Sequence, residues 1–353
     1  MSLDKVLKFN GLIIWPYNNL KNQYIKDEVL KSHIDKIVKS YTTLKGWPER
    51  NPAIISTPDA GFNNPNIRTA NKIEVLKNIL LFSSILNMRM FPVTSENFEV
   101  YYHRFKVGEH NISTDAGMLF PIRSGGYELG KVRFMKPDYI HTPLGDRVDI
   151  NIFNALEKCF SGSNENREMN SIIQSLNPFF NAFVNIHSLS WYSRILLLLI
   201  AFEILFTETK RENFRKNIEK YSIDNNNLQR EIYQYEIRKI DGKKIDSKML
   251  SINQIWAEEF YRLRDKIIHG NPILQTDYYF KDQLGLAKKH QHHFVIATNF
   301  FVVCLINKLR EINYSEIPEM IISENPRIPI SIFGNDNEQF KIGKPNWDRL
   351  LTR

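Results

Sequence analysis

The chain has 353 residues, of which 42% are hydrophobic and 12% aromatic, and this composition predicts a folded protein of about two domains and argues against a disordered chain. Its 47 basic and 39 acidic residues give a net charge of +8, spread along the whole chain, which favours a polyanionic partner weakly. The two cysteines, Cys159 and Cys304, lie far apart, so the sequence indicates neither a disulfide framework nor a cysteine-based metal site, and it favours a reducing compartment.

No segment of the sequence has the pattern of a signal peptide or a membrane span. The first five residues lack an apolar core and a small-residue cleavage site. The longest apolar run, Ile195 to Phe206, is too short to cross a bilayer and contains Glu203. We therefore expect a cytoplasmic protein that does not contact a membrane, with this run as a buried core helix.

Residues 1–149 mix helical and strand-like patterns. Apolar residues recur at helical spacing in two stretches, 25–41 and 73–86. Segments rich in β-branched and aromatic residues predict strands at 7–17, 53–56 and 98–107. Glycines then separate short apolar runs up to residue 148, as turns do in an antiparallel sheet. This region is predicted to be a mixed α/β N-terminal domain.

From residue 150 to residue 313 almost every pattern is helical. The predicted helices are 151–161, 168–187, 190–209, a charged stretch up to about 238, 251–269 and 286–313. The polar segment 240–248 contains a glycine and is predicted to be a loop between two helices. Four prolines exclude a long helix in residues 314–353, which should form an extended tail. The predicted fold class is α+β, with a C-terminal all-α bundle at 150–313.

The strongest indication of chemistry is the segment Tyr-Arg-Leu-Arg-Asp-Lys-Ile-Ile-His-Gly, residues 261–270, at the end of a predicted core helix. Gly270 suits the left-handed position that ends a helix, and Pro272 prevents its continuation. Arg264 is a cation and His269 is a group that exchanges a proton near neutral pH, and a pair of this kind is suited to phosphodiester chemistry. Neither side chain has an evident partner nearby in the sequence.

Helix geometry constrains how these two side chains act together. Five positions advance about 500° around a regular helix, so Arg264 and His269 project roughly 140° apart. Either the last turn unwinds at His269, or two copies of the helix meet across a symmetric interface and supply two Arg and two His to one cleft.

This segment resembles the motif of the HEPN superfamily, an Arg followed by a polar residue, about three variable residues and a His. Arg264, Asp265 and His269 match it at each defined position. The setting is most similar to the Apea-like HEPN group, in which the motif helix ends in His-Gly and an earlier apolar helix carries a Glu, here Glu203. The resemblance covers residues 150–313 and, weakly, the preceding region, where Val132-Arg-Phe-Met-Lys-Pro137 is similar to proteins of this group.

The resemblance implies a helical bundle that forms a homodimer through the motif helices and cleaves RNA without a metal or other cofactor. His269 would take the proton of a ribose 2′-hydroxyl, and Arg264 would hold the charge that develops on the phosphate. Asp265 and Glu203 complete the candidate catalytic set. The candidate RNA-binding residues are Lys266, Asn271, Lys288, Lys289 and His290. The N-terminal domain would sense a trigger or select the RNA, as in a defence or toxin-like effector.

Several alternatives stay open at this point. Arg264 could pair with Glu258 or Glu259, and His269 could only cap the helix. Glu203 could pair with Arg264 or orient His269, or it could form a salt bridge to Arg194 or lie partly exposed. Asp265 could tune the histidine or be a solvated helix residue.

Two further alternatives concern other histidines and the function as a whole. The histidines at 290, 292 and 293 invite a metal site, although a solvated basic face is the preferred interpretation because no carboxylate or cysteine accompanies them at ligand spacing. The whole domain could also be a catalytically silent module that binds nucleic acid or a protein partner.

Overall fold

A computed structural model describes residues 6–35 (without 27, 30 and 33), 53–56, 67–85, 117–121, 127–131, 148–182, 189–222, 232–238, 243–280 and 291–312. The described residues belong to two compact units that divide between Asp149 and Ile150. Most of them are helical, and the strands pair in small antiparallel sheets, so the fold is α+β.

The first unit begins with a small antiparallel sheet. Strand β2 (Leu12–Pro16) lies between β1 (Leu7–Phe9) and β3 (Ala53–Ser56). Asn10 and Gly11 connect β1 to β2 with positive φ values of 39° and 83°, as a two-residue hairpin turn requires. The strands predicted at 7–17 and 53–56 are confirmed.

Helices and a second hairpin make up the rest of the described part of this unit, and residues 28–35, within the helical stretch predicted at 25–41, are helical wherever they are described. Helix α1 (Tyr17–Tyr24) follows β2 directly, and helix α2 (Ile67–Ile85) is buried at every residue from Leu76 to Ser83. Strands β4 (Gly117–Pro121) and β5 (Tyr127–Lys131) form the second hairpin. The helix predicted at 73–86 is therefore confirmed, whereas the strand predicted at 98–107 lies outside the described residues.

The second unit contains six of the described helices. They are α3 (Ile150–Gly162), α4 (Arg167–Asn181), α5 (Trp191–Phe206), α6 (Arg211–Ser222), α7 (Ile252–Ile268) and α8 (His293–Glu311). Each lies within a predicted helical stretch or matches it to within a few residues. The apolar run Ile195 to Phe206 is confirmed as a largely buried helix, although Ile200 remains 43% exposed.

Helix α8 supplies the core against which α4, α5, α6 and α7 pack. The ring of Phe300 stacks on Trp256 of α7 with centroids 4.5 Å apart, and the ring of Phe301 stacks on Phe179 of α4 at 4.3 Å. Among the described helices α8 alone is long and apolar enough to cross a bilayer, with a mean hydropathy of 1.3, but 83% of that stretch is buried within the unit. These contacts are those of a buried core helix.

A β-hairpin interrupts the helices of the second unit. Strand β6 (Ile232–Arg238) pairs antiparallel with β7 (Lys244–Ser251), and short strands β8 (Tyr279–Phe280) and β9 (Gln291–His292) form another pair. The prediction of helix up to residue 238 and of a loop at 240–248 is therefore wrong, and the unit is not all-α. The buried residues of the hairpin alternate, as Tyr235 and Ile237 do, which is the period of a strand.

Helix α5 ends in an unusual backbone conformation at Thr207. This residue has φ 55°, and the amides of Thr207 and Glu208 close the helix on the carbonyls of Ile204 and Glu203, each at 3.1 Å. A β-branched residue in the left-handed region costs about 1–2 kcal/mol. The end of α5 therefore carries a local strain.

We expect Thr207→Gly to raise the free energy of unfolding by about 1 kcal/mol, because glycine adopts positive φ without this strain. Urea unfolding followed by circular dichroism measures the change. Gly270→Ala is the matched control at the end of α7: Gly270 has φ 64° and no atom within 4 Å of an added Cβ, so any loss there reports backbone conformation alone. A Thr207→Gly chain less stable than wild type would contradict the assignment of strain.

Candidate functional site

The motif helix α7 ends as the sequence predicted. Its first turn is fixed by a capping box between Ser251 and Gln254. At the other end the amide of Gly270 donates to Ile267 at 3.3 Å, and the amide of Asn271 donates to Lys266 at 2.9 Å, which closes the helix around a left-handed glycine.

His269 is the last residue of this helix end and is exposed. Its backbone, at φ −87° and ψ 7°, departs from helical geometry, while the helix stays regular through Ile268. The imidazole forms no side-chain hydrogen bond with any residue that the structure describes. It is therefore free to approach a ligand.

Arg264 is held by two carboxylates. Its Nη1 donates to Asp265 Oδ1 at 3.0 Å, and its Nη2 lies 3.7 Å from Glu203 Oε1. The guanidinium also lies over the Tyr261 ring, 5.1 Å from the centroid, and the side chain remains 26% exposed. Arg264 therefore has two partners, the adjacent Asp265 and, 61 residues earlier in the chain (264 − 203), Glu203 of α5.

Glu203 connects helix α5 to the motif. Besides the pair with Arg264, its Oε1 accepts a hydrogen bond from the Tyr261 hydroxyl at 3.2 Å, and its side chain is 15% exposed. Burial raises the pKa of this carboxyl, while Arg264 and the Tyr261 hydroxyl act in the opposite direction. Of the alternatives for Glu203, the structure supports pairing with Arg264.

The raised pKa of Glu203 makes stability depend on pH. The folded state holds the proton of Glu203 more tightly than the unfolded state does. The contribution of this carboxyl to folding stability is therefore favourable below its ordinary pKa of 4.5, and it is lost as pH rises through the higher pKa of the folded state. We expect Glu203→Gln, which keeps an acceptor for Tyr261, to be more stable relative to wild type at pH 7 than at pH 4. Thermal melts of both chains between these values test this, and an equal difference at both ends would contradict it.

Asp265 accepts hydrogen bonds from two arginines. Its Oδ1 accepts a hydrogen bond from Arg264 Nη1, and its Oδ2 accepts one from Arg211 Nη2 of helix α6 at 2.7 Å. The side chain is 14% exposed. It is therefore not a solvated helix residue.

A second carboxylate of α7 is more deeply buried. Glu258 is 2% exposed and accepts from Arg211 Nη1 at 2.7 Å and from Arg215 Nη1 at 3.0 Å. It is therefore these two arginines, and not Arg264, that pair with Glu258. Sequence reasoning did not select Arg211 or Arg215. No sequence signal marked Glu258, because two positions from Trp256 and Phe260 place it on the opposite side of the helix from the apolar stripe, and the partners it meets there belong to α6.

An open groove of about 430 Å³ lies between helices α4 and α5 and includes Glu203 in its wall. Its apolar part is formed by Ile200 and Ile204. Its polar lining comes from Arg167, Asn170, Gln174, Thr207, Glu208 and Thr209. The groove therefore brings solvent to the carboxylate that contacts Arg264.

The predicted RNA-binding residues have different surroundings. Lys266 forms an ion pair with Asp277 at 3.0 Å, with both side chains about one-fifth exposed. Asn271 is partly buried, and its backbone amide closes the motif helix. Lys288, Lys289 and His290 lie outside the described residues. The helix end thus brings Lys266 and Asn271 close to His269 in sequence and in space.

The solvated basic face expected at residues 290–293 is wrong for His292 and His293. His292 Nδ1 accepts from the amide of Phe294 at 3.2 Å, and burial lowers its pKa to about 4. His293 is 2% exposed, and burial lowers its pKa to about 3. Both rings are neutral packing elements at the start of α8. Across the described ranges, no group of three or more His, Cys, Asp or Glu side chains is placed to hold a metal ion.

The site therefore combines an exposed imidazole at a helix end with a guanidinium that is braced but still accessible. Burial and the nearby Glu203 raise the pKa of the Tyr261 hydroxyl to about 12, so this group stays protonated at neutral pH. Comparison of the chain with models of protein families, with curated proteins and with solved structures gave no match. The likeness to HEPN proteins consequently rests on the motif residues themselves.

Proposed function

We propose that the chain is a metal-independent endoribonuclease of HEPN type, which acts in the cytoplasm as a homodimer and serves as a defence or toxin-like effector. One observation carries the proposal: an exposed His269 ends the helix on which Arg264 is fixed by carboxylates and still 26% exposed. The N-terminal unit would sense a trigger or select the RNA, by analogy with the family.

The chemistry follows from these two side chains. His269, as a general base, takes the proton from a ribose 2′-hydroxyl, and the 2′-oxygen attacks the adjacent phosphorus. The bond from phosphorus to the 5′-oxygen then breaks, and that oxygen takes up a proton from a second acid such as a protonated histidine. The products are a 2′,3′-cyclic phosphate and a 5′-hydroxyl, and DNA is not cut because it lacks the nucleophile.

Arg264 can hold the negative charge of the phosphorane while it remains paired. A guanidinium has five N–H donors. In Arg264, Nη1 contacts Asp265 and Nη2 contacts Glu203, so each contact uses one donor. The remaining donors are available to phosphate oxygens. Bracing by carboxylates then fixes the fork in one orientation, which lowers the entropic cost of binding the transition state.

A dimer is proposed because the helix is regular between Arg264 and Ile268 and departs from helical geometry only at His269 itself, so a regular helix does not direct Arg264 and His269 at the same phosphate. Two copies related by a two-fold axis can direct the Arg264 of one chain and the His269 of the other at one phosphate. Large apolar side chains are exposed beside the motif, with Ile268 at 50% and Leu274 at 66%. Such side chains favour a protein contact at this end of the helix.

The test is cleavage of an oligoribonucleotide in EDTA, with mass analysis of the product ends. We expect 2′,3′-cyclic phosphate and 5′-hydroxyl ends, and we expect a single 2′-deoxy substitution at the cut position to stop cleavage there. Wild-type protein that produces no such ends with any RNA offered, and that behaves like His269→Ala, would contradict the proposal.

A catalytically silent module that binds nucleic acid is the second candidate. The observation that favours it is the pairing of Arg264 with two carboxylates, which offsets the charge that a phosphate would meet. Retention of intact RNA by wild-type protein, with binding lost in Arg264→Ala and no product ends, would support it over the nuclease.

A further inference from the structure

We infer that Arg211 is a positioning residue, which sets the orientation of Arg264 by holding Asp265. This role rests on the proposed function, because its effect on activity is an effect on RNA cleavage. Arg211 belongs to helix α6, outside the motif helix, and its Nη atoms donate to Glu258 and Asp265 at 2.7 Å each.

The guanidinium of Arg211 fixes two points on helix α7. Glu258 and Asp265 are seven residues apart, which is about 10 Å along the helix axis, and a single planar fork bonds both carboxylates. Helix α7 can therefore neither slide nor rotate against α6 without breaking one of these bonds. Arg264 lies between Glu258 and Asp265 on α7, so the same segment of the helix holds it.

Asp265 transmits this hold to Arg264. One of its oxygens receives Arg211 at 2.7 Å, and the other receives Arg264 at 3.0 Å, so both arginines share one carboxylate. Without Arg211 the Asp265 side chain loses the stronger of its two restraints and is free to change rotamer. Arg264 would then keep only the longer contact, 3.7 Å, to Glu203.

The charges of the cluster lead to the same expectation. Three carboxylates (Glu203, Glu258, Asp265) face three guanidiniums (Arg211, Arg215, Arg264) within these contacts. Removing Arg211 leaves the cluster one negative charge in excess, next to the place where a phosphate would bind. Misorientation and repulsion both weaken the stabilisation of the phosphorane.

Arg215 provides a matched control on the same helix. It lies four residues after Arg211, donates to the same Glu258 at 3.0 Å and is more deeply buried, at 7% against 26% exposed. Among the described residues its only side-chain hydrogen bond is the one to Glu258. Replacing it therefore damages the core and leaves the link from Arg211 through Asp265 to Arg264 in place.

The experiment compares Arg211→Gln and Arg215→Gln with wild type by three measurements: kcat and KM for RNA cleavage, the melting temperature, and the Nε–Hε NMR signal of Arg264. We expect Arg211→Gln to lower kcat by about 10- to 100-fold and to broaden or shift the Arg264 signal. We expect Arg215→Gln to lower the melting temperature at least as much while kcat stays within about threefold and the Arg264 signal is unchanged.

Arg211→Lys separates charge from geometry, because lysine keeps the charge and lacks the fork. We expect its Arg264 signal to resemble that of Arg211→Gln. An Arg264 signal that is unchanged in Arg211→Gln, or changed equally in Arg215→Gln, overturns the positioning role. If wild-type protein cuts no RNA, the proposed function fails while the NMR comparison still decides whether Arg211 positions Arg264.

Discussion

Mixing an Arg264→Ala chain with a His269→Ala chain restores RNA cleavage that neither variant shows alone, if the active site belongs to two chains. Alone, we expect the loss of Arg264 to lower kcat by about 10²–10³-fold and the loss of His269 by about 10²–10⁴-fold. A mixed dimer has one intact arginine and one intact histidine facing the shared cleft, whereas each parental dimer lacks one kind of residue altogether.

The readout is the rate of cleavage against the mixing ratio, with mixed dimers counted by native mass spectrometry on differently tagged chains. Activity should rise with the fraction of mixed dimers and be greatest at equal amounts. A control mixture of His269→Ala with a second His269→Ala preparation should stay inactive. Mixed dimers that form and remain inactive would contradict a site that one Arg264 and one His269 from different chains complete.

We expect Glu258→Ala to lower the free energy of unfolding of the helical unit by about 3–5 kcal/mol. This carboxylate is 2% exposed and is the partner of two arginines, one of which, Arg215, is itself 7% exposed. Removing one member of a buried ion pair leaves an uncompensated charge in a medium of low polarity, and this cost is larger than the energy of the pair itself. Urea unfolding measures the change and does not depend on any activity.

The control for Glu258 is Glu212→Ala on helix α6. Glu212 pairs with Lys216 at 3.1 Å, but both side chains are more than half exposed, and we expect its removal to leave the melting temperature nearly unchanged. A second variant, Glu258→Leu with Arg215→Met, should be more stable than Glu258→Ala because it removes buried charge on both sides. Equal melting temperatures for Glu258→Ala and Glu212→Ala would contradict the structural role of the cluster.

The helices were largely predictable, and the hairpin was not. The helices of the second unit have apolar residues at a spacing of three to four. This spacing puts the apolar side chains on the side of each helix that is buried in the bundle. Only one face of β6 and β7 is buried, by Tyr235, Ile237 and Leu250, so polar residues dominate the segment and mask its period of two. Asp241-Gly242, a pair common in hairpin turns, was the signal that could have identified it.

One part of the candidate site was also predictable from the sequence, and another part was not. The end of α7 was predicted because a left-handed glycine and a following proline are local signals, written within a few residues of His269. The partners of the charged residues were not, because Arg211 lies 47 and 54 positions from its two carboxylates. The sequence places Glu258 opposite the apolar stripe of α7, and only the packing of α6 on α7 shows that it is buried and which cations it meets.

The central position of α8 has a consequence for the order in which the protein is made. The residues of the charged cluster and His269 lie between positions 203 and 269, whereas α8 occupies His293–Glu311. A chain emerging from the ribosome thus displays every candidate catalytic side chain before it contains the helix on which α5 and α6 pack. The cluster cannot be held in its final geometry until that helix arrives, so an interrupted translation product that ends before α8 carries the motif without a formed site.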